Sequence, residues 1–154
     1  MPTNPCNNTN AVKFVKKYRP DCQPIADRLK VPVENILGLA AQESQYGEGR
    51  IASEYNNYFS MHAPAPLQTG EAAALKDPKV KVAKFASFAQ SAQSFEQRFG
   101  AAVKGKADPE DFGEALVSAK FNSGDAATGG RGGFAPYLAG IIKMVKARMA
   151  CPNP

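Results

Sequence analysis

Asn35-Ile36-Leu37-Gly38-Leu39-Ala40-Ala41-Gln42-Glu43-Ser44-Gln45 is the most apolar stretch of the chain. It reads as a buried central helix over about 35–45. Tyr46-Gly47-Glu48-Gly49 marks its end, with Gly47 as the candidate C-terminal cap. Glu43 then falls in the last turn of a core helix, at the edge of apolar surroundings. Upstream, Val12, Phe14, Val15 and Tyr18 predict a short amphipathic helix over 10–18, which Pro20 should end. Asp21 is placed to cap a second helix to about Lys30, burying Ile25, Ala26 and Leu29. Val31-Pro32 breaks the chain again, and Pro32 stands where a helix starts readily.

Downstream, the aromatic run Asn56 to Met61 reads as a strand or extended segment, and Ala63-Pro64-Ala65-Pro66 forbids helix. Lys79 to Phe85 alternates through Val80 and Val82, the pattern of a half-exposed strand. Together these predict a small β-hairpin or flap. Three helices follow, over 92–103, 109–120 (Asp108 as cap, Pro109 at the first position) and 136–149. The linker before the last is rich in glycine (Gly124, Gly129, Gly130, Gly132, Gly133) and reads as a rim loop. The expected fold class is mainly α (α+β), with a small β element after the central helix.

The 154 residues suit one domain, 1–154, and 44% hydrophobic residues suffice for a core. Residues 1–9 and 151–154, rich in Pro and Asn, read as flexible tails. The formal charge is +5 and the pI about 9.2. Lys13, Lys16, Lys17 and Arg19 near one end and Lys143, Lys146 and Arg148 near the other are scattered, which argues against nucleic acid. A modest positive field suits a polyanionic surface. No segment has the ~20 apolar residues of a membrane span, and residues 1–6 carry no apolar run of a secretory signal. Cys6, Cys22 and Cys151 show no C-x-x-C spacing and His62 is the sole histidine, so neither a metal nor another cofactor is expected. One disulfide with a free thiol, or three free thiols, both fit; spacing does not choose.

Gln42-Glu43-Ser44 is the main chemical signal. Cleaving a glycosidic bond needs a proton donor for the leaving oxygen. A carboxyl held against apolar neighbours resists ionisation, and its pKa can rise to about 6. The bland alternative is an ordinary exposed glutamate at a helix end.

From Phe14 to Gly49 (FVKKYRPDCQPIADRLKVPVENILGLAAQESQYGEG) the chain resembles the opening of the bacterial glucosaminidases of glycoside hydrolase family 73. Those have a helix, a V-P break, then an apolar helix ending in A-x-x-E-S-x-x-G, which Ala40 to Gly47 matches. Their N-N-(L/Y/F)-F-G-(I/M) pattern is matched by Asn56-Asn57-Tyr58-Phe59-Ser60-Met61, except for Ser60 in place of Gly. Phe85-Ala86-Ser87-Phe88 and Ser94-Phe95-Glu96 stand where the family has an aromatic, small-residue run leading into S-F-x-(D/E). The order holds from about residue 12 to 149.

The resemblance implies a lysozyme-like helical domain with a β-hairpin flap, acting on peptidoglycan glycan strands as an N-acetylglucosaminidase with Glu43 as general acid. Glu71, in Thr69-Gly70-Glu71, matches an acidic residue that family members carry in the flap and is the candidate second carboxylate. Glu48, Glu54 and Asp125 are lesser candidates. A gap of about 5 Å between the two carboxyls would imply a retaining route; about 6.5–9.5 Å leaves room for an activated water. Asn57, with Asn56, is a candidate for bonding acetamido groups, Phe59, Tyr58 and Tyr137 for stacking on sugar faces, and His62 for touching substrate; turn and core roles compete.

Ala119-Lys120-Phe121-Asn122-Ser123-Gly124 is similar to the A-x-Y-N-(A/S)-G motif of lytic transglycosylases, which places Asn122 near the substrate. Phe121 replaces that motif's tyrosine, and the transglycosylase G-L-M-Q segment is absent. Transglycosylase or muramidase is therefore the second reading, and a non-catalytic wall-binding module the third. A compact domain without signal or wall-binding repeats also looks similar to the glycoside-hydrolase effectors of type VI secretion. Such an effector acts in a target bacterium's periplasm and has a cognate immunity protein that blocks its cleft.

Overall fold

The computed structural model describes residues 4–74, 77–121 and 133–154. Among the described residues, six α-helices and one hairpin follow in order: α1 (Thr9–Leu29), α2 (Val33–Ser44), α3 (Arg50–Tyr55), β1 (Gly70–Ala73), β2 (Lys81–Lys84), α4 (Phe88–Val103), α5 (Pro109–Ser118) and α6 (Phe134–Met149). The mainly helical architecture with a small β element is the one the patterning predicts. Asn122, Asp125 and most of the glycine-rich linker lie outside the described residues.

α2 runs through the centre. Ile36, Leu37, Leu39, Ala40 and Ala41 are all buried, and α1 and α6 pack against it. Gly38 makes the α2–α6 approach close: a Cβ there would stand 2.7 Å from Ile142 Cγ1 and 3.1 Å from its Cα. This proximity places Tyr137 and Ile141 of α6 beside the end of α2.

α1 is one continuous helix through Pro20 and Pro24, not two helices broken at Pro20. Both prolines are exposed, while Phe14, Val15, Cys22, Ile25 and Ala26 bind both halves to one core. The two missing amide donors fall on the solvent side, where water can serve the freed carbonyls, so packing outweighs the break.

The hairpin also differs from expectation. Its first strand is Gly70–Ala73, paired antiparallel with Lys81–Lys84 so that Glu71 faces Ala83. Residues 56–61 form a tight turn instead, with Asn56 and Ser60 at positive φ (56° and 53°). A strand would alternate, but Asn57, Tyr58, Phe59 and Met61 are all buried. His62 makes a single antiparallel bridge to Val82.

Within the described residues the two ends are tied together. Pro5–Asn7 form a 3-10 turn, and Cys6 is disulfide-bonded to the buried Cys151. Cys22 is a free thiol within the core, and burial pushes its pKa up.

Substituting Gly38 by Ala should lower stability by about 1–3 kcal/mol, because backbone at Ile142 must give way. Thermal unfolding checks this; an unchanged Tm would show that α6 can move aside.

Candidate active site

The site grows from the way α2 stops. The Ser44 hydroxyl donates to the Ala40 carbonyl at 2.6 Å and accepts from the Gly47 amide at 2.9 Å. Gln45, Tyr46 and Gly47 then take positive φ in succession (53°, 53° and 82°), and the Gly49 amide returns to the Ser44 carbonyl at 2.9 Å. Gln45 is therefore the left-handed cap, two residues before the expected Gly47. Gly47 is needed for space as well as for φ, since a Cβ there would meet the Phe14 ring at 3.3 Å.

This ending delivers Glu43, half-buried, into a cavity of about 520 Å³ lined by Ala41, Gln42, Gln45, Tyr46, Tyr137 and Ile141. Burial pushes the Glu43 pKa up to about 7, against a smaller lowering from the Ser60 hydroxyl bonded to its carboxyl. Ser60 Oγ also stands 3.4 Å from the Glu43 backbone carbonyl. Ser60 in turn lines a second cavity, of about 340 Å³, with Met61, His62, Arg98, Phe99, Lys120 and Phe121. The two cavities lie on either side of the Glu43–Ser60 contact and are the two arms of the candidate groove. Among the described residues, Glu43 is the one carboxylate that lines either cavity. A carboxyl half-protonated near neutrality, open to a sugar-sized groove, can give a proton to a leaving oxygen.

The other sequence candidates divide. Tyr137 is 38% exposed on the first cavity, and His62 is exposed on the rim of the second. Asn57 does not reach the groove. It is 0% exposed, and its amide donates to the Met61 and Ala83 carbonyls (2.9 Å each) while its oxygen accepts from the Met61 amide (2.9 Å). It pins the turn to β2 and has nothing left for an acetamido group. The Asn56 amide donates to the Phe85 carbonyl at 3.1 Å, and the residue lines neither cavity.

Phe59 is also corrected: it is 0% exposed and stacks on Phe95 (centroids 5.2 Å apart), so no sugar can lie on it. Tyr58 is buried, with its hydroxyl 3.2 Å from that of Tyr18. Glu71 is exposed on β1 and lines neither cavity. Glu48 is exposed, and Glu54 pairs with Arg50 at 3.2 Å. Asn122 and Asp125 lie outside the described residues.

Sequence reasoning missed three contributors. Tyr46 walls the first cavity, though its place in the A-x-x-E-S-x-x-G motif was a usable signal. Ser60 touches Glu43, and its replacement of the family's glycine was visible. Arg98 donates to the His62 carbonyl at 3.2 Å and to that of Pro64, holding the rim of the second cavity; no motif marked it.

The family model described as "Glucosaminidase: Mannosyl-glycoprotein endo-beta-N-acetylglucosaminidase" matches residues 19–147. A chain in the structure of a type VI secretion system effector–immunity complex from Pseudomonas protegens is 61% identical, with a TM-score of 0.89 over 97% of this chain and 100% of that one. Two similar structures at lower identity show the fold alone. One is a peptidoglycan hydrolase from Sphingomonas sp. A1 (24% identity, TM-score 0.73, 93% and 98% of the chains). The other is the glycoside hydrolase domain of Salmonella typhimurium FlgJ (23%, 0.61, 90% and 90%). No curated protein matches the chain. With its match spanning most of the sequence, from the middle of α1 to the end of α6, the chain belongs to the glucosaminidase family and is a glycoside hydrolase.

Proposed function

We propose that this enzyme cleaves the glycan backbone of bacterial peptidoglycan after N-acetylglucosamine, with Glu43 as the proton donor. The observation that carries the reading is a desolvated carboxyl, its pKa lifted to about 7, in the groove between two sugar-sized cavities. Below pH 7 the carboxyl is mostly neutral. It protonates the scissile oxygen, the leaving sugar departs as an alcohol, and positive charge develops at the anomeric carbon. Tyr137 offers a ring face on one side of that point and His62 a polar edge on the other. The peptidoglycan substrate is supported by membership of the glucosaminidase family and by the open, two-cavity form of the groove.

The anomeric centre must then be captured. Glu71 is the family-placed base for an attacking water, and it sits on the hairpin, the element beside the second cavity through the His62–Val82 bridge. To serve, the hairpin carries Glu71 inward when glycan binds. One observation favours a second reading: Glu43 is alone among the described carboxylates in the groove. A lytic transglycosylase needs only that one, because the sugar's own 6-hydroxyl replaces water.

The likeness at 61% identity to a chain of an effector–immunity complex supports the biological role. On this reading the protein is an antibacterial effector delivered by type VI secretion and active in the periplasm of a target cell. Its cognate immunity protein occupies the groove.

Three outcomes test this. Glu43→Gln should lower kcat by about a hundredfold or more while circular dichroism and Tm are kept, because an amide cannot donate the proton; a variant with normal turnover contradicts the reading. For the wild type, kcat/KM should fall about tenfold per pH unit above pH 7, as the donor ionises in the free enzyme. Mass spectrometry of digested muropeptides should give reducing N-acetylglucosamine ends, with Glu71→Gln slowing their release about a hundredfold. Anhydro ends, unaffected by Glu71→Gln, would instead establish transglycosylation.

A further inference from the structure

Tyr46 stands in the left-handed region (φ 53°), directly after another such residue. For a residue with a Cβ this costs on the order of 1 kcal/mol and persists only where the surroundings hold it. Arg148 holds it. Near the end of α6 and only 9% exposed, Arg148 donates from Nη1 to the Tyr46 hydroxyl at 2.6 Å, and its guanidinium carbon lies 5.1 Å from the ring centroid. On its other side the Tyr46 ring meets Phe14 edge-on at 5.7 Å.

Among the described residues no carboxylate pairs with Arg148. Its remaining buried bond goes from Nε to the Pro5 carbonyl at 3.1 Å. Pro5 precedes Cys6, and Cys6 is bonded to Cys151, whose amide donates to the Arg148 carbonyl at 3.1 Å. A buried guanidinium serving one phenol and one carbonyl, instead of an anion, is costly unless the structure uses it. Its two partners are a wall of the Glu43 cavity and the segment tied down by the disulfide.

We propose that Arg148 is a positioning residue for glycan binding: it fixes Tyr46 as a wall of the groove, and the Cys6–Cys151 disulfide fixes Arg148, so that affinity for the glycan depends on the oxidised state of that bond. The proposal rests on the groove being the glycan site. With the disulfide reduced, the segment bearing Pro5 is released, Arg148 loses one of its two anchors, and the Tyr46 ring loses its fixed place on the groove wall. Reduction by dithiothreitol breaks the protein S–S bond and leaves two thiols. The reagent gives up two electrons and two protons and closes to its cyclic disulfide. In an oxidising compartment a disulfide donor reverses the step and is itself reduced to a dithiol. The enzyme would thus be weak in a reducing cytoplasm and competent once oxidised.

The test is steady-state kinetics on peptidoglycan, below the unfolding temperature of both redox forms, with circular dichroism as a control for folding. Reduction of the wild type should raise KM about tenfold with kcat within about twofold, the pattern of lost binding without lost chemistry. Arg148→Ala should show the raised KM already when oxidised and should not respond to dithiothreitol. Should Arg148→Ala fail to fold, Arg148→Lys replaces it. It keeps the charge but loses the flat, forked group, and the same outcome is expected. A KM indifferent to reduction, or effects of reduction and substitution that simply add, overturns the proposal. Glu43→Gln run alongside separates the two readings: normal turnover in that variant defeats the groove chemistry itself, whereas an unresponsive KM defeats only the clasp.

Discussion

The proposed chemistry depends on keeping one carboxyl short of water. Glu43 sits where the largely buried central helix runs out, and the loss of hydration there is the largest influence on its ionisation. Two packing facts produce that environment. The absence of a side chain at Gly38 lets α6 lie against α2, which puts Tyr137 and Ile141 over the carboxyl's cavity. The run of three left-handed residues after Ser44 turns the chain back before the helix can carry Glu43 out into solvent.

The remaining elements hold this arrangement from below and from the sides. Phe59 stacks on Phe95 and tilts against Phe88, while Phe121 meets Phe95, Phe99 and Phe134, giving the second cavity an aromatic floor. Aromatic pairs of this kind add to area burial through their edge and face geometry. Asn57 fastens the turn that carries Ser60 to Glu43, and Arg98 fastens the next segment. The α6 terminus is stitched to the start of the chain by Cys6–Cys151 and by Lys16, which donates to the Met149 carbonyl at 2.9 Å, a cation at a helix C-terminus.

Much of this was legible in the sequence because it was local. The apolar run around Ile36 to Ala41, the Asp108–Pro109 start of α5 and the placing of Glu43 in a last turn are short-range signals, and each is found. What failed was decided over distance. Pro20 breaks a helix by its own chemistry, but the core pulled α1 through it. The aromatic run 56–61 has β propensity, yet burial of four of its residues with Asn57 as a bracket made it a turn. Asn57 and Phe59 carry motif positions that suggest contact with sugar; their roles are to shape the site without touching it. The pairing of Cys6 with Cys151, 145 residues apart, had no local signature at all.

The most direct measurement is an NMR titration of the Glu43 side-chain carboxyl carbon, assigned by comparison with Glu43→Gln. A midpoint near pH 7 is the result expected from a carboxyl starved of water in the groove. A midpoint near 4.5, the value of an ordinary exposed glutamate, would contradict the account and leave the proposed reaction without its proton donor.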